Sequence, residues 1–331
     1  MAIQACQRED MIKTAVLLAV CLALPSTTYA HGWPNRHIEI ILPTSAGSGP
    51  DVTMRSYTDR IAKSLGQSII INNRPGASGA IAAQAAARSQ ADGYTFFLAS
   101  PAQLIINKYV LKDLPYDPDT DFVPVSLLNR APFIVLTSPR LPIKSLDDLV
   151  AYNKANRGNV FVSHEGATGK ATAAYMNKVM DLEMILVPYV NPLKAIQDLI
   201  GGSADVQVHV QGSALALPFA KDGRLQALAV TSGSRFEPLP DVPAMSEVYP
   251  SFGNFETWLM LLAPRGTPDA VIRRMSSEIG RVAETDEMKR LLHNLGVLPA
   301  DSGSPEAAAK FLREQNAQVA KMATAASLKP E

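Results

Sequence analysis

Residues 36–51 read RHIEIILPTSAGSGPD. The run from His37 to Leu42 is β-branched and apolar, Pro43 stops it, and small polar residues follow, which predicts a strand ending in a loop. From Val52 the pattern changes period: Tyr57, Ile61 and Leu65, with Met54 close by, form one apolar helical stripe that Gly66 terminates. The unit is therefore strand, small-residue loop, helix. It recurs as strand Ser68–Ile71, loop NNRPGASGA, Ala-rich helix Ala80–Arg88, strand Tyr94–Leu98 and loop ASPAQ. This repetition is the pattern of an α/β fold with a mostly parallel sheet and helices on its faces.

The alternation continues downstream. Strands are expected at 133–137, 160–163, 185–188, 206–210, 225–230 and 257–263. Helices are expected at 146–155 after a Ser145 cap, from the loop HEGATGK through Met180, and at 192–200. Two long C-terminal helices close the chain, the last starting at Ser304-Pro305 as N-cap and first helical residue. The order fits two α/β lobes, residues 31–130 plus 232–331 and residues 131–231, with chain crossings near 128–133 and 231–256. Short paired crossings of this kind can act as a hinge.

Lys and Arg number 31, Asp and Glu number 31, and hydrophobic residues make up 47%. A neutral total carries no basic excess for nucleic acid or a membrane surface, and the composition is that of a folding chain. From Met11 the chain reads MIKTAVLLAVCLALPSTTYA, a basic start, a short apolar run and small residues before Ala30. This is the layout of a cleavable export signal over residues 1–30, with Met11 an alternative start; the run is too short to cross a membrane. Cleavage would remove Cys6 and Cys21, the only cysteines. A thiolate nucleophile, a Cys zinc site and a redox dithiol would then all be unavailable.

Three loops share one physical design. Thr44–Asp51, Ser100–Gln103 and Ser163–Lys170 each join a strand end to a helix start, where unpaired N–H groups and the positive end of the helix dipole favour an anion. In open α/β sheets ligands bind at the carboxyl ends of strands. AGSGPD lacks the third glycine of a dinucleotide turn. GATGKAT fails as a phosphate loop, which would need Gly at His164 and Ser or Thr at Ala171. There is no G-x-S-x-G elbow, and His164-Glu165 lacks a second His at Thr168, so no zincin site is expected. No metal or other cofactor is implied.

The ordered series TSAGSGPD, NNRPGASGA, DGYTFFLAS, LPYDPDTDFVPVSLL, VPY, DGRLQALAVTS, LPDVP and LLAPRGTP closely resembles the substrate-binding receptors of tripartite tricarboxylate transporters, the Bug-type family. The resemblance spans Trp33 to the C-terminus. It implies a monomeric periplasmic binding protein of the two-lobe, Venus-flytrap type that captures a small organic anion without catalysis and passes it to membrane components of the transporter. By resemblance, Thr44, Ser45, Ala46, Gly47, Ser48 and Asp51, with Ser100, Pro101 and Gln103, hold one carboxylate. Ser163, His164, Thr168 and Tyr189 close on its other end. Departures cluster in the second lobe: Glu165-Gly166-Ala167-Thr168 and Lys170 replace a glycine-rich stretch and a later His, Val190-Asn191 follow VPY, and His209-Val210 stand where acidic or amide residues are usual. An altered distal ligand group is expected.

Single residues keep two readings. Asp51 either satisfies N–H groups of its own loop or holds a ligand ammonium or water. Lys170 is either solvated or a ligand partner, and His164 stands at a strand end next to the loop. His209, alternating with Val206 and Val208, faces either the cleft or a hydrogen-bonded core. Tyr189 offers ring area and a hydroxyl, whereas Trp33 and Trp258 read as packing residues. Two rival functions follow from the same residues: a ligand-sensing partner of a membrane signalling protein, and a hydrolase using Ser163 with His164, or Ser45.

Overall fold

The strand whose reading opened the sequence, β1 (Ile38–Leu42), is the middle of a parallel trio. In the computed structural model Ile38 lies opposite Ile69 of β2 (Ile69–Asn73), and Glu39 lies opposite Thr95 of β3 (Thr95–Ala99). Residues 32–189, 191–203, 205–300 and 303–326 are described, and those from Arg36 onward belong to one compact unit. The export signal expected over residues 1–30 lies outside the described residues. Helices α1 (Gly49–Leu65) and α2 (Ala80–Ala87) follow β1 and β2. Met54, Tyr57 and Ile61 are fully buried, as the stripe predicted, and the Tyr57 hydroxyl donates to Leu128 O at 3.2 Å. Gly66 ends α1 at φ 67°, a left-handed cap that glycine adopts without strain.

A second parallel trio has β5 (Phe161–His164) between β6 (Ile185–Pro188) and β7 (Val208–Gly212). Helices α3 (Leu146–Ala155), α4 (Gly166–Met180), α5 (Pro192–Gly201) and α6 (Ser213–Lys221) accompany it. Ser145 caps α3 by accepting from Asp148 N. α6 has no counterpart among the expected elements, because Pro218 inside it reads as a helix breaker.

Antiparallel strands join the trios. β4 (Phe122–Thr137) was expected only over 133–137, since Pro124, Ser126, Asn129 and Arg130 interrupt its apolar pattern. In the fold Ser126 and Asn129 are buried, and register shifts between Pro124 and Ser126 and between Leu127 and Asn129 absorb the irregularity. Phe122–Pro132 pairs with β9 (Glu256–Pro264), which also pairs with β3. Phe133–Thr137 then pairs with β7, and Ile134–Thr137 with β8 (Gln226–Val230). The result is a mixed sheet in the order β2-β1-β3-β9-β4-β7-β5-β6, with β8 and β10 (Leu298–Pro299) also on β4.

The point where β4 changes partners is tightly tied. Phe133 N donates to Thr231 Oγ1 at 2.8 Å, Thr231 N donates to Phe133 O at 3.0 Å, and Phe255 N donates to Thr231 O at 2.9 Å. The rings of Phe133 and Phe255 stack at 6.0 Å. Beyond it the C-terminal part forms α7 (Asp269–Ala283), α8 (Asp286–Asn294) and α9 (Pro305–Ala325), three helices where two were expected, because Thr285 caps a new start. Ser304 caps α9 as its sequence indicated, and Trp258 is buried edge-on to Phe311. No described helix is long and apolar enough to cross a membrane.

Candidate functional site

Because β2, β1 and β3 are parallel, their carboxyl ends bring three loops to one edge of the sheet. Ser45, Ala46 and Gly47 are exposed there, with Thr44 and Ser48 half-buried. Among the described residues, the N–H groups of Ser45, Ala46 and Gly49 have no acceptor within the chain. They are the free donors that a helix start leaves to a ligand. Ser48 Oγ donates to Thr44 Oγ1 at 3.0 Å, which closes the loop on itself.

Asp51 is turned into its own loop. Its side chain is buried and accepts from Gly47 N at 2.9 Å, Arg55 Nε at 2.9 Å and Asn73 Nδ2 at 3.0 Å. Burial pushes its carboxyl up, and the bonds from Arg55, Gly47 and Asn73 outweigh that and hold it below the ordinary value. Of its two sequence readings the structure selects the first: Asp51 shapes the loop. Asn73 also donates to Thr44 O, tying β2 to the same loop. Neither Arg55 nor Asn73 was legible as a site residue, since each matters only through a carboxylate folded onto it.

Gln103 has a similar supporting place. Its Oε1 accepts from Ser100 N at 3.0 Å and Ser100 Oγ at 2.9 Å, and its Nε2 donates to Ser78 O at 2.9 Å. It therefore locks Ser100–Gln103, including the buried Pro101, to the loop that follows β2. Ala77, Ser78 and Gly79 all have positive φ, and a Cβ on Gly79 would collide with Gln103 and Pro43. This middle loop is a third member of the edge that the sequence presented only as a turn.

On the second trio, Ser163, His164, His209 and Gln211 lie at or near strand ends. His209 is fully buried and faces the interior, not the cleft: Ser163 Oγ lies 2.8 Å from its Nδ1 and Gln211 Oε1 3.0 Å from its Nε2. Gln211 in turn donates to Glu165 Oε2 at 3.4 Å. Burial pushes the pKa of His209 down to about 4, against the pull of Ser163 and Gln211. His164 is also held at about 4, by burial and then by Lys170, and its Nδ1 is buried without a partner. Both rings are uncharged at neutral pH. Tyr189 donates its hydroxyl to Asp198 at 3.0 Å, which leaves the ring and the acceptor side of the oxygen for other contacts. Thr168 is half-buried in the first turn of α4.

Glu165 stands out. It is exposed at the N-cap of α4, and the protein around it raises its carboxyl, opposed by the Gln211 bond.

The two loop sets approach one another. A Cβ on Gly49, first residue of α1, would stand 4.0 Å from Ala214 in the first turn of α6, and α4 packs on the helical segment Ala102–Ile106. The first turns of two helices, one from each half of the sheet, thus lie against one another. The imidazole beside Ser163 is that of His209 rather than His164, and both residues of this pair are fully buried. Among the described residues there is no cluster of three or more metal-ligating side chains.

A family model described as tripartite tricarboxylate transporter family receptor matches residues 53–328. The chain belongs to this receptor family. A UPF0065 protein of Bordetella bronchiseptica is 33% identical over 325 residues, 97% of this chain and 95% of that one. The protein BugT of Bordetella pertussis is 30% identical, covering 92% of this chain and 95% of that one. Among solved structures, Rpa4515 of R. palustris with adipate superposes at a TM-score of 0.81 with 29% identity, over 90% of this chain and all of that one. MatC of Rhodopseudomonas palustris with bound malate gives 0.78 and 27%, over 88% of this chain and all of that one. Tripartite tricarboxylate transporter receptors are periplasmic solute-binding proteins, and the two-lobe fold expected from the sequence is theirs.

Proposed function

We propose that this receptor captures a small organic carboxylate between its two lobes, closes about a hinge, and presents the closed form to the membrane components of a tripartite transporter. The observation that supports this most directly is the contact between the first turns of α1 and α6, one from each half of the sheet, Gly49 against Ala214. An anion placed there meets free N–H groups of Ser45, Ala46 and Gly49 without needing a cationic side chain. Charge-assisted hydrogen bonds contribute roughly 1.5–3 kcal/mol each, so four of them, less ordering costs, reach the roughly −8 kcal/mol of a micromolar complex. The lobes are residues 31–130 with 232–331, and residues 131–231. The hinge is the tie of Phe133, Thr231 and Phe255, because there β4 passes from one set of partners to the other. Residues 1–30 serve as the export signal.

The relatives bound to adipate and malate set the first compounds to try. Isothermal titration of purified protein against mono- and dicarboxylates should give saturable heat with at least one. Small-angle scattering should show a smaller radius of gyration in its presence, and mass spectrometry should recover the compound unchanged. Absence of heat with every carboxylate, or chemical turnover of the bound one, would overturn the reading.

A further inference from the structure

β4 changes partners along both of its edges, and the two edges are tied differently. Residues 134–137 pair with β7 on one edge and β8 on the other, and Asn129 and Arg130 are likewise flanked by β9 and β10. β8 and β9 share an edge, because Phe255 N, just before β9, donates to Thr231 O, just after β8. β7 and β10 therefore share the other. There Gly212, the last residue of β7, lies opposite Phe133, and Leu298, the first of β10, lies opposite Arg130. Across this step a side chain makes the tie: Ser213 Oγ donates to Gly296 O at 2.5 Å, between residues 83 apart in the chain, and Ser213 is fully buried.

The fit around this bond is close. A Cβ on Gly296, at φ 68°, would stand 3.0 Å from Ser213 O and 3.1 Å from Leu217 Cδ2, so glycine is what lets the turn between α8 and β10 come so near. Leu298 packs on the same apolar cluster as Ile134, Leu217 and Val230, which carries that cluster from one half of the sheet to the other. The next residue of α6, Ala214, faces Gly49. The first turn of α6 thus meets the other half of the sheet at two points, each built from small residues. Turning one half about the tie of Phe133, Thr231 and Phe255 moves β10 relative to β7, and a bond this short holds at one angle only.

We infer that Ser213 is a positioning residue for closure: its bond to Gly296 holds the two halves in one closed arrangement and raises ligand affinity by populating that arrangement. This rests on the hinge-closure reading above. Ser213 acts without touching the ligand, since a group that favours only the closed state raises affinity in proportion to that state's population.

The contact between Gly49 and Ala214 supplies a reporter. Its 4.0 Å Cβ separation lies within the range of about 3.5–4.5 Å that a disulfide spans, so Gly49→Cys with Ala214→Cys should oxidise when the halves meet. With Cys6→Ala and Cys21→Ala in every protein, the pair holds the only thiols. In a glutathione redox buffer, adding Ser213→Ala should slow oxidation of the pair by at least about fivefold. Without the cysteine pair, Ser213→Ala should weaken whichever of adipate and malate gives heat in isothermal titration by about fivefold. A bond kept at every hinge angle would lower the urea midpoint of Ser213→Ala and leave both readouts unmoved. An oxidation rate or an affinity within about twofold of the parent therefore overturns the inference, as does failure of the cysteine pair to oxidise. If no carboxylate gives heat, the receptor reading falls, and the oxidation rate alone decides the role of Ser213.

Discussion

Replacing Asp51 by Asn changes one oxygen to an amide nitrogen at a side chain that is only 2% exposed. Asp51 Oδ2 accepts from Gly47 N and Arg55 Nε, and Oδ1 accepts from Asn73 Nδ2. An Asn oriented to serve Gly47 and Arg55 turns its own NH2 against the amide of Asn73, so one hydrogen bond is lost outright, at about 1 kcal/mol. The two that remain lose a charged acceptor, which costs about 1 kcal/mol together; the Arg55 share is small because that side chain is 48% exposed. The expected loss at pH 7 is about 2 kcal/mol, or a melting point lower by about 4 °C. Carboxylate affinity should fall about tenfold, since Gly47 and the loop from Thr44 are no longer held in one shape. The sign with pH is fixed by linkage. The folded pKa of Asp51 lies below its ordinary 3.8, so its contribution is complete above that value and is lost as pH falls through the lower folded one. Urea unfolding of both proteins should give a constant difference from pH 7 to about 5 and a shrinking one below about 4. A variant within about 0.5 kcal/mol of wild type at pH 7, or a difference that persists unchanged in acid, would rule out this role for Asp51.

Gln103→Ala removes the acceptor of Ser100 N and the donor to Ser78 O, so it should cost about 2–3 kcal/mol in urea unfolding and weaken carboxylate binding more than about fivefold; unchanged affinity would separate the middle loop from the site. His209 and His164, each near 4 in the folded state against 6.5 ordinarily, should lower stability as pH drops from 6.5 toward 4, by up to about 1.4 kcal/mol per pH unit for each ring, because only the unfolded chain takes up the proton there. Nitrogen-15 imidazole shifts that titrate near 6.5 would contradict this.

Much of the parallel framework was readable along the chain. The strand and helix periods of 38–65, the glycine at 66, the Ser145 and Ser304 caps and the apolar runs at 161–164 and 185–188 are local signals, set by residues a few positions apart. The residues that fell outside the reading share a different property. The first half of β4 has a mixed polar pattern that becomes a strand only when β9 supplies its ladder. The helix at Ser213–Lys221 carries a proline, and its first turn meets Gly49 only in the assembled fold.

The candidate site divides along the same line. Local sequence was enough to establish that small-residue loops at strand ends would bear helix N-termini, because the order strand, glycine or serine, helix leaves N–H groups unpaired. It also placed the departures from the receptor family's pattern in the second lobe. How the individual side chains pack was decided only by the assembled fold. Asp51 and His209, open to either reading in the sequence, turn inward because Arg55, Asn73, Ser163 and Gln211 are brought against them and satisfy them. Glu165 is left facing out at the end of that chain of bonds. Hydrogen-bond partners separated by up to 46 residues leave no periodic trace in a sequence, so side-chain orientation is set only when the sheet has formed.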